Sequence, residues 1–396
     1  MSKRSKQSGK IKAGDLQGFK YFGQLMPLLE SLHEIGTTRD KSNNRTLFFD
    51  QYVILLLLYF YNPVINSLRG LQQASEIAKV QKLLGVNRVS LGSMSESVSI
   101  FDAALLREVV QELAQTIITK GGLQIDKQQS EALAGLTAID GTLLRALPAM
   151  IWARWNDEKH RAAKMHLQFD ILKGIPDDAT ITAAAHSEIT EARKMLQKGR
   201  FYVMDRGYGC YALFQQILDV GSSFVIRVKS NTAFADEKEL ALSDADCKAG
   251  VIRDIVVGKL GSPSMQEAVK QPIRLVYVET LKEDGGITTL VLATDRLDLK
   301  AEEVAAAYRY RWSIELFFRW FKCILGCRHL LTQSQNGVTI QCYVALIASM
   351  LITLWTNLKP TKRTWEMIQF YFMGWATIDE LQNHLQKRMA KQERFV

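Results

Sequence analysis

Cysteine is scarce: five residues in a chain of 396, at positions 210, 247, 323, 327 and 342. So few, so widely scattered, exclude a disulfide-stapled secreted scaffold and point to a reducing compartment. Only Cys323, Cys327 and His329 are close enough in sequence to suggest a metal site. No second ligand pair accompanies them, and apolar helix packing explains them as well. Long apolar runs are also missing. The longest, residues 52–61 and 344–355, fall short of the ~20 residues that cross a bilayer. No apolar segment follows the basic N-terminus as it would in a signal peptide. The expectation is a soluble, cytoplasmic protein without a membrane partner. Internal repeats and low-complexity segments are absent too, which excludes a fibrous array.

What is present describes a folded chain: 47% apolar, 9% aromatic and 23% charged residues. That length predicts two or three domains with ample material for a core. The formal charge of +9 suits a polyanionic partner. Five of those charges belong to Lys3, Arg4, Lys6, Lys10 and Lys12, ahead of the first acid, Asp15. The remainder is only mildly basic, so charge alone decides little.

Residues 1–14 read as a basic flexible arm and 15–130 as a helical domain, with Leu and Ala at 3–4 spacing. Within it, residues 74–84, a turn at Gly85-Val86 and residues 91–101 have a helix–turn–helix pattern, with Ser90 or Ser93 as the second helix's cap. That pattern suits DNA reading and equally an ordinary helical domain. From about residue 131 the texture changes. Residues 135–139, 165–171, 180–185, 200–204 and 223–228 read as strands, with helices at 188–196 and 211–218 between them. This alternation predicts an α/β sheet over 131–230. Residues 231–300 read as a mostly β insertion, 301–358 as helix, and 359–396 as a helical tail after Lys359-Pro360. The tail's segment 365–386 is amphipathic, and residues 387–394 are basic.

Two aspartates occupy notable places. Asp140 follows residues 135–139 and precedes Gly141-Thr142; Asp205 follows residues 201–204 and precedes Arg206-Gly207-Tyr208. Acids at the ends of two buried strands can converge at one sheet edge, where a divalent cation offsets the cost of their charge. Taken singly, each reads equally as an Asp capping a turn.

A third acid stands in a different pattern. Tyr308, Arg311, Glu315, Arg319 and Lys322 share an arc of about 80° on a helix wheel, at about 100° per residue. Ile314, Leu316, Phe317, Trp320, Phe321, Ile324 and Leu325 occupy the opposite side, as an apolar face docked on the sheet would. A solvated face with i,i+4 ion pairs accounts for the charges but not for a tyrosine and one acid among three cations. Such a stripe suits a phosphodiester, with Glu315 on a metal and Arg311, Arg319 and Lys322 neutralising phosphates.

Tyr308-x2-Arg311-x3-Glu315-x6-Lys322 resembles, in spacing and identity, the Y-x2-R-x3-E-x6-K signature of DDE transposases of the IS-four group of bacterial insertion sequences. The contexts Asp140-Gly-Thr and Asp205-Arg-Gly-Tyr resemble that family's first two acidic motifs, and a long β insertion separates Asp205 from Glu315. The resemblance covers roughly residues 130–358. It implies a ribonuclease H-like α/β core interrupted by the β insertion, with an N-terminal helical DNA-binding domain and a C-terminal helical tail. Asp140, Asp205 and Glu315 would be the catalytic acids and would bind two Mg²⁺ ions, replaceable by Mn²⁺. Tyr308, Arg311, Arg319 and Lys322 would hold scissile-strand phosphates. Water would free a 3′-OH at the element's end, and that 3′-OH would attack target DNA. The implied partners are double-stranded DNA, as transposon ends and target, and a second copy of the chain on paired ends. When DNA-bound, such a protein would sit on the nucleoid.

Some readings stay open at this level. Asp170 competes with Asp140 for the first acidic role and ranks second, because it falls in the second strand. Lys159, Arg161, Lys164 and Arg206 are further candidates for DNA contact; the first three read equally as a solvated edge. Family members that form a hairpin intermediate hold a flipped base with a Trp from the insertion. Here no Trp lies between Trp155 and Trp312, which leaves Phe234 or Tyr277 for such a role. Segment 365–386 is either a dimer contact or a helix packed on its own core. A catalytically silent DNA-binding descendant and a nuclease that never joins strands are the alternative functions.

Overall fold

The computed structural model describes residues 22–35, 39–40, 45–119, 131–146, 149–153, 161–261, 269–281, 285–326, 330–356 and 358–393. The basic arm at 1–14, Lys159, and the Cys327 and His329 of the candidate metal site lie outside them. Two compact units form, residues 1–123 with 320–396, and residues 124–319.

In the first unit, six helices among the described residues precede the sheet: α1 Phe22–Ile35, α2 Phe49–Tyr61, α3 Leu68–Ser75, α4 Ala78–Leu84, α5 Leu91–Ile100 and α6 Ala103–Thr119. The expected helix over 74–84 is two pieces. Glu76 and Ile77 interrupt it, and the Ser75 hydroxyl, which donates to the Gln72 carbonyl within α3, also accepts the Val89 N–H across the turn. Gly85 ends α4 at a φ of 65°, a conformation a side chain resists. Ser90, not Ser93, is the cap of α5: its hydroxyl accepts the Ser93 N–H at 3.0 Å.

Two helices apolar on every side form this unit's core, as a buried helix requires. In α2 every residue but Gln51 is buried. The other is Gln335–Thr356, a helix of 22 residues that carries the run at 344–355. It is longer than that run and by length alone could cross a membrane, yet 89% of its most apolar window is buried within the protein. Tyr61 of α2 donates its hydroxyl to the Ala348 carbonyl at 2.7 Å. Asn336 donates to the carbonyls of Val98 and Phe101 and accepts from the Ala103 N–H, tying this helix to the α5–α6 corner. Helices Lys362–Phe372 and Ile378–Glu393 follow, with Trp375 between them 75% exposed.

The second unit is built on one nine-stranded sheet in the order β3-β2-β1-β4-β5-β9-β8-β7-β6. Its strands are β1 Leu136–Arg145, β2 Ala162–Asp170, β3 Ile175–Ala183, β4 Phe201–Met204, β5 Ser223–Val228, β6 Phe234–Glu239, β7 Val251–Leu260, β8 Ile273–Leu281 and β9 Ile287–Thr294. Only β1–β4 and β4–β5 pair in parallel; the other pairs are antiparallel. The stretch expected as an insertion thus extends the same sheet, with β9 hydrogen-bonded to β5. Helices α7 Glu188–Met195, α8 Tyr211–Asp219 and α9 Asp244–Lys248 lie between strands; α10 Ala301–Tyr310 and α11 Trp312–Gly326 follow them. Ile139, Tyr202, Met204, Phe214 and Phe224 share one apolar cluster with Ala192 of α7, so one sheet face packs under α7 and α8. Phe169 pairs with Ala138 on the other face and meets Phe317 of α11 at 5.0 Å between ring centroids.

Candidate active site

The aspartates are placed by strand register. Leu136 pairs with Phe201 and Ala138 with Val203 in parallel, so Asp140 and Asp205, each four residues beyond Leu136 and Phe201, stand at one level. Side chains alternate along a strand, which puts both on the face that carries Phe317. Asp140 is not at the end of its strand as expected. β1 runs on to Arg145 because it keeps pairing with β2, Asp140 facing Leu167; it is β4 that stops at Met204. The row continues into β5. Met204 pairs with Ile226, so Arg227 lies beside Asp205.

Each carboxylate is also fixed locally. Asp140 accepts its neighbour Gly141's N–H at 2.7 Å. Asp205 caps the turn Arg206–Tyr208, accepting the Gly207 N–H at 2.7 Å. With its side chain only 20% exposed, Asp140 is pushed up to about 7 by burial, and by the Asp205 charge, against the pull of the Gly141 N–H and Arg311.

The glutamate reaches this group through Arg311. Tyr308, Arg311, Glu315, Arg319 and Lys322 do not share one helix: α10 ends at Tyr310, and α11 begins at Trp312. Around Arg311 the backbone tightens, with Arg311 N–H on the Tyr308 carbonyl and Ile314 N–H on the Arg311 carbonyl. The Arg311 side chain is 14% exposed, its Nη2 donating to Glu315 Oε1 at 2.7 Å while Nη1 lies 3.7 Å from Asp140 Oδ2. Burial works against its charge, but Tyr308, Glu315 and Asp140 together raise its pKa. Tyr308 stacks under the same guanidinium, 5.6 Å from its ring centroid.

Beside these residues opens a cavity of about 630 Å³, lined by Asp205, Arg206, Gly207, Arg227, Lys229, Ser230, Asn231, Tyr308 and Arg311. Four cations face one carboxylate there, a charge balance that suits an anion next to an acid pair. Arg227 and Lys229 escaped the sequence reading. Their signal was position: both stand at the end of β5, as Asp205 stands at the end of β4.

Other candidates lie elsewhere. Arg319 is exposed and stacks on Trp312 at 5.5 Å, and Lys322 is exposed further along α11. Leu316, expected on the apolar face, is 52% exposed. Lys164 is paired with Glu188 at 2.9 Å, and Arg161 has one guanidinium nitrogen buried. Asp170 pairs across the sheet with Thr137, near the start of β1, and neighbours Arg200 at the opposite end of the parallel strands from Asp205. Tyr277 stacks under Arg253, and Phe234 packs on the apolar cluster; neither lines the cavity.

The donor chemistry suits a hard divalent cation: Asp140 and Asp205 are oxygen donors, and the Asp205 charge adds to the burial that disfavours ionised Asp140. Among the described residues, no three acidic, His or Cys side chains are close enough to share an ion in this arrangement, and Glu315 is paired with Arg311.

Comparison with known proteins gives the same direction. Residues 131–351 match the family model described as the transposase DDE domain. A putative transposase of Sinorhizobium fredii is 30% identical over 255 residues, 64% of this chain and 70% of the relative. A probable transposase for insertion sequence element IS5377 of Geobacillus stearothermophilus is 22% identical over 234 residues, 58% of this chain and 59% of the relative. Among solved structures, a piggyBac transposase synaptic complex with hairpin DNA aligns over 96% of this chain and 85% of its own at 11% identity. Its TM-score of 0.41 is too low to bear on the fold.

Proposed function

The chain belongs to the DDE-domain transposases, and from that premise we propose that Asp140, Asp205 and Glu315 are its catalytic acids in the cleavage and joining of insertion-sequence DNA. The observation that carries the assignment is the shared level of Asp140 and Asp205 on adjacent parallel strands, with Arg311 linking Asp140 to Glu315. The order β3-β2-β1-β4-β5, with a parallel β1-β4-β5 centre, supports a ribonuclease H-like core extended by β6–β9.

Asp140, Asp205 and Glu315 would hold Mg²⁺ or Mn²⁺, which when bound supplies an acidified water and charge neutralisation on the leaving oxygen. The chain's own residues do the rest. Arg206, Arg227, Lys229 and Arg311 draw a DNA phosphate into the cavity beside Asp205. Tyr308, fixed against Arg311, orients that strand. Water attacks the phosphorus and the P–O3′ bond breaks, leaving a 3′-OH and a 5′-phosphate. The freed 3′-OH then attacks a target phosphorus, displacing that strand's own 3′ oxygen. Only the nucleophile changes between the steps. For Glu315 to join an ion, Arg311 must turn from it toward the phosphate. A pair of element ends implies a homodimer, and the DNA substrate implies action at the nucleoid. Arg319 and Lys322, exposed on α11, are available to DNA further from the cut.

The test is a nicking and strand-transfer assay of purified protein on DNA carrying the element's ends. Products that appear with Mg²⁺, vanish with EDTA and include joined strands support the reading. End binding without cleavage would make the chain a silent descendant, and cleavage without joining a nuclease.

A further inference from the structure

A fourth acid borders the site from the opposite sheet face. Glu188 opens α7, and its Oε1 lies 2.9 Å from Lys164 Nζ. A Cβ on Gly141, the residue after Asp140, would meet that same Glu188 oxygen at 3.0 Å. The missing side chain at 141 therefore lets the Glu188 carboxylate close against the strand next to Asp140. An ion pair on a helix's first turn explains Lys164–Glu188 by itself. It does not explain what lies on the same sheet face.

There, Tyr208 ends the turn capped by Asp205 and packs in the cluster that contains Ile139. The residue is 1% exposed, and its hydroxyl has no hydrogen-bond partner. Burial first, then the charges of Asp140, Glu188 and Asp205, raise its pKa well above the usual value. A buried hydroxyl with no hydrogen-bond partner, within the electrostatic reach of three carboxylates, is placed for a further polar group.

We propose that Glu188 is a positioning residue of the catalytic centre, which together with the Tyr208 hydroxyl strengthens divalent-cation binding at Asp140 and Asp205 by hydrogen bonding to the ion's waters. This rests on the assignment of those aspartates under the proposed function. Among the described residues Glu188 makes no three-acid cluster with them, and its carboxylate is held by Lys164, so we assign it to the ion's water and not to the ion. Mg²⁺ suits such a role because it keeps several of its waters. Lys164 holds the carboxylate in place, as outer partners of metal ligands commonly do.

Mn²⁺ binding to the full chain, measured by calorimetry without DNA, tests this on wild type, Asp140→Asn, Glu188→Gln, Glu188→Asp and Tyr208→Phe. Glu188→Gln should weaken Mn²⁺ about 10-fold, with Glu188→Asp recovering part of the loss. Tyr208→Phe, which deletes only an unpartnered oxygen, should bind Mn²⁺ more weakly while melting no lower than wild type. Wild-type Mn²⁺ affinity in both Glu188→Gln and Tyr208→Phe, with Asp140→Asn impaired, overturns the proposal and spares the aspartates. Undiminished binding in Asp140→Asn instead overturns the assignment on which the proposal rests.

Discussion

Asp140 in β1 and Asp205, one residue past the end of the neighbouring parallel strand β4, are each four residues past a paired position, Leu136 with Phe201. Sixty-four residues of chain separate them, and one hydrogen-bonded register brings them level. Arg227 continues the row on β5, so an acid pair and a cavity lined by four cations lie along the same edge. Ligands of open α/β sheets collect at the carboxyl ends of parallel strands for this geometric reason.

Asp170 supplies the negative control. It lies near Arg200 at the opposite end of the parallel strands, and its side chain accepts the Lys173 N–H in a turn. Asp170→Asn should retain end cleavage within about threefold, whereas Asp140→Asn should not. Single-turnover cleavage of labelled ends separates the two.

Arg311 joins two carboxylates, and its removal leaves both without their cation. With all three side chains under 30% exposed, Arg311→Ala should cost about 1–3 kcal/mol in urea unfolding. Arg311→Lys keeps the charge but loses the fork that spans Glu315 and Asp140, so its cost should be smaller. Equal stability of Arg311→Ala and wild type would show that the bridge contributes nothing.

A buried acid at the other strand end sets a pH dependence of stability. Asp177 is 3% exposed, and burial pushes it up to about 6, although Arg200 lies 2.6 Å away and opposes the shift. The folded protein therefore binds this proton more firmly than the unfolded chain, whose Asp titrates near 3.9. The associated stability is full below about pH 4 and is lost as pH rises through about 6, a difference of about 1–3 kcal/mol. Urea titrations at pH 4 and pH 7 should show that fall in wild type, and Asp177→Asn should flatten it.

The strands at 201–204 and 223–228 were legible because continuous apolar runs between turn residues mark buried parallel strands. Register was not, since alternation assigns a face but no partner. β6, with the sequence Phe-Ala-Asp-Glu-Lys-Glu, carries no apolar alternation: it is the sheet's exposed edge, held by β7 on one side only. The break between α10 and α11 has no Gly or Pro to announce it. It falls at Arg311, whose partners Asp140 and Glu315 come from both directions along the chain. The Tyr-Arg-Glu-Lys spacing was visible as a pattern, but the helix wheel overstated it. Tyr308, Arg311 and Glu315 meet, while Arg319 turns to Trp312. Glu188 had no signal at all, because it approaches the site only through Gly141.

The most direct measurement is Mg²⁺-dependent cleavage of element ends by Asp140→Asn, Asp205→Asn and Glu315→Gln, with end binding followed in parallel. Each variant should lose cleavage by about 10²–10³-fold or more while still binding the ends. Near wild-type cleavage by any one of them would remove that residue from the catalytic centre. Retention by both aspartate variants would contradict the account outright.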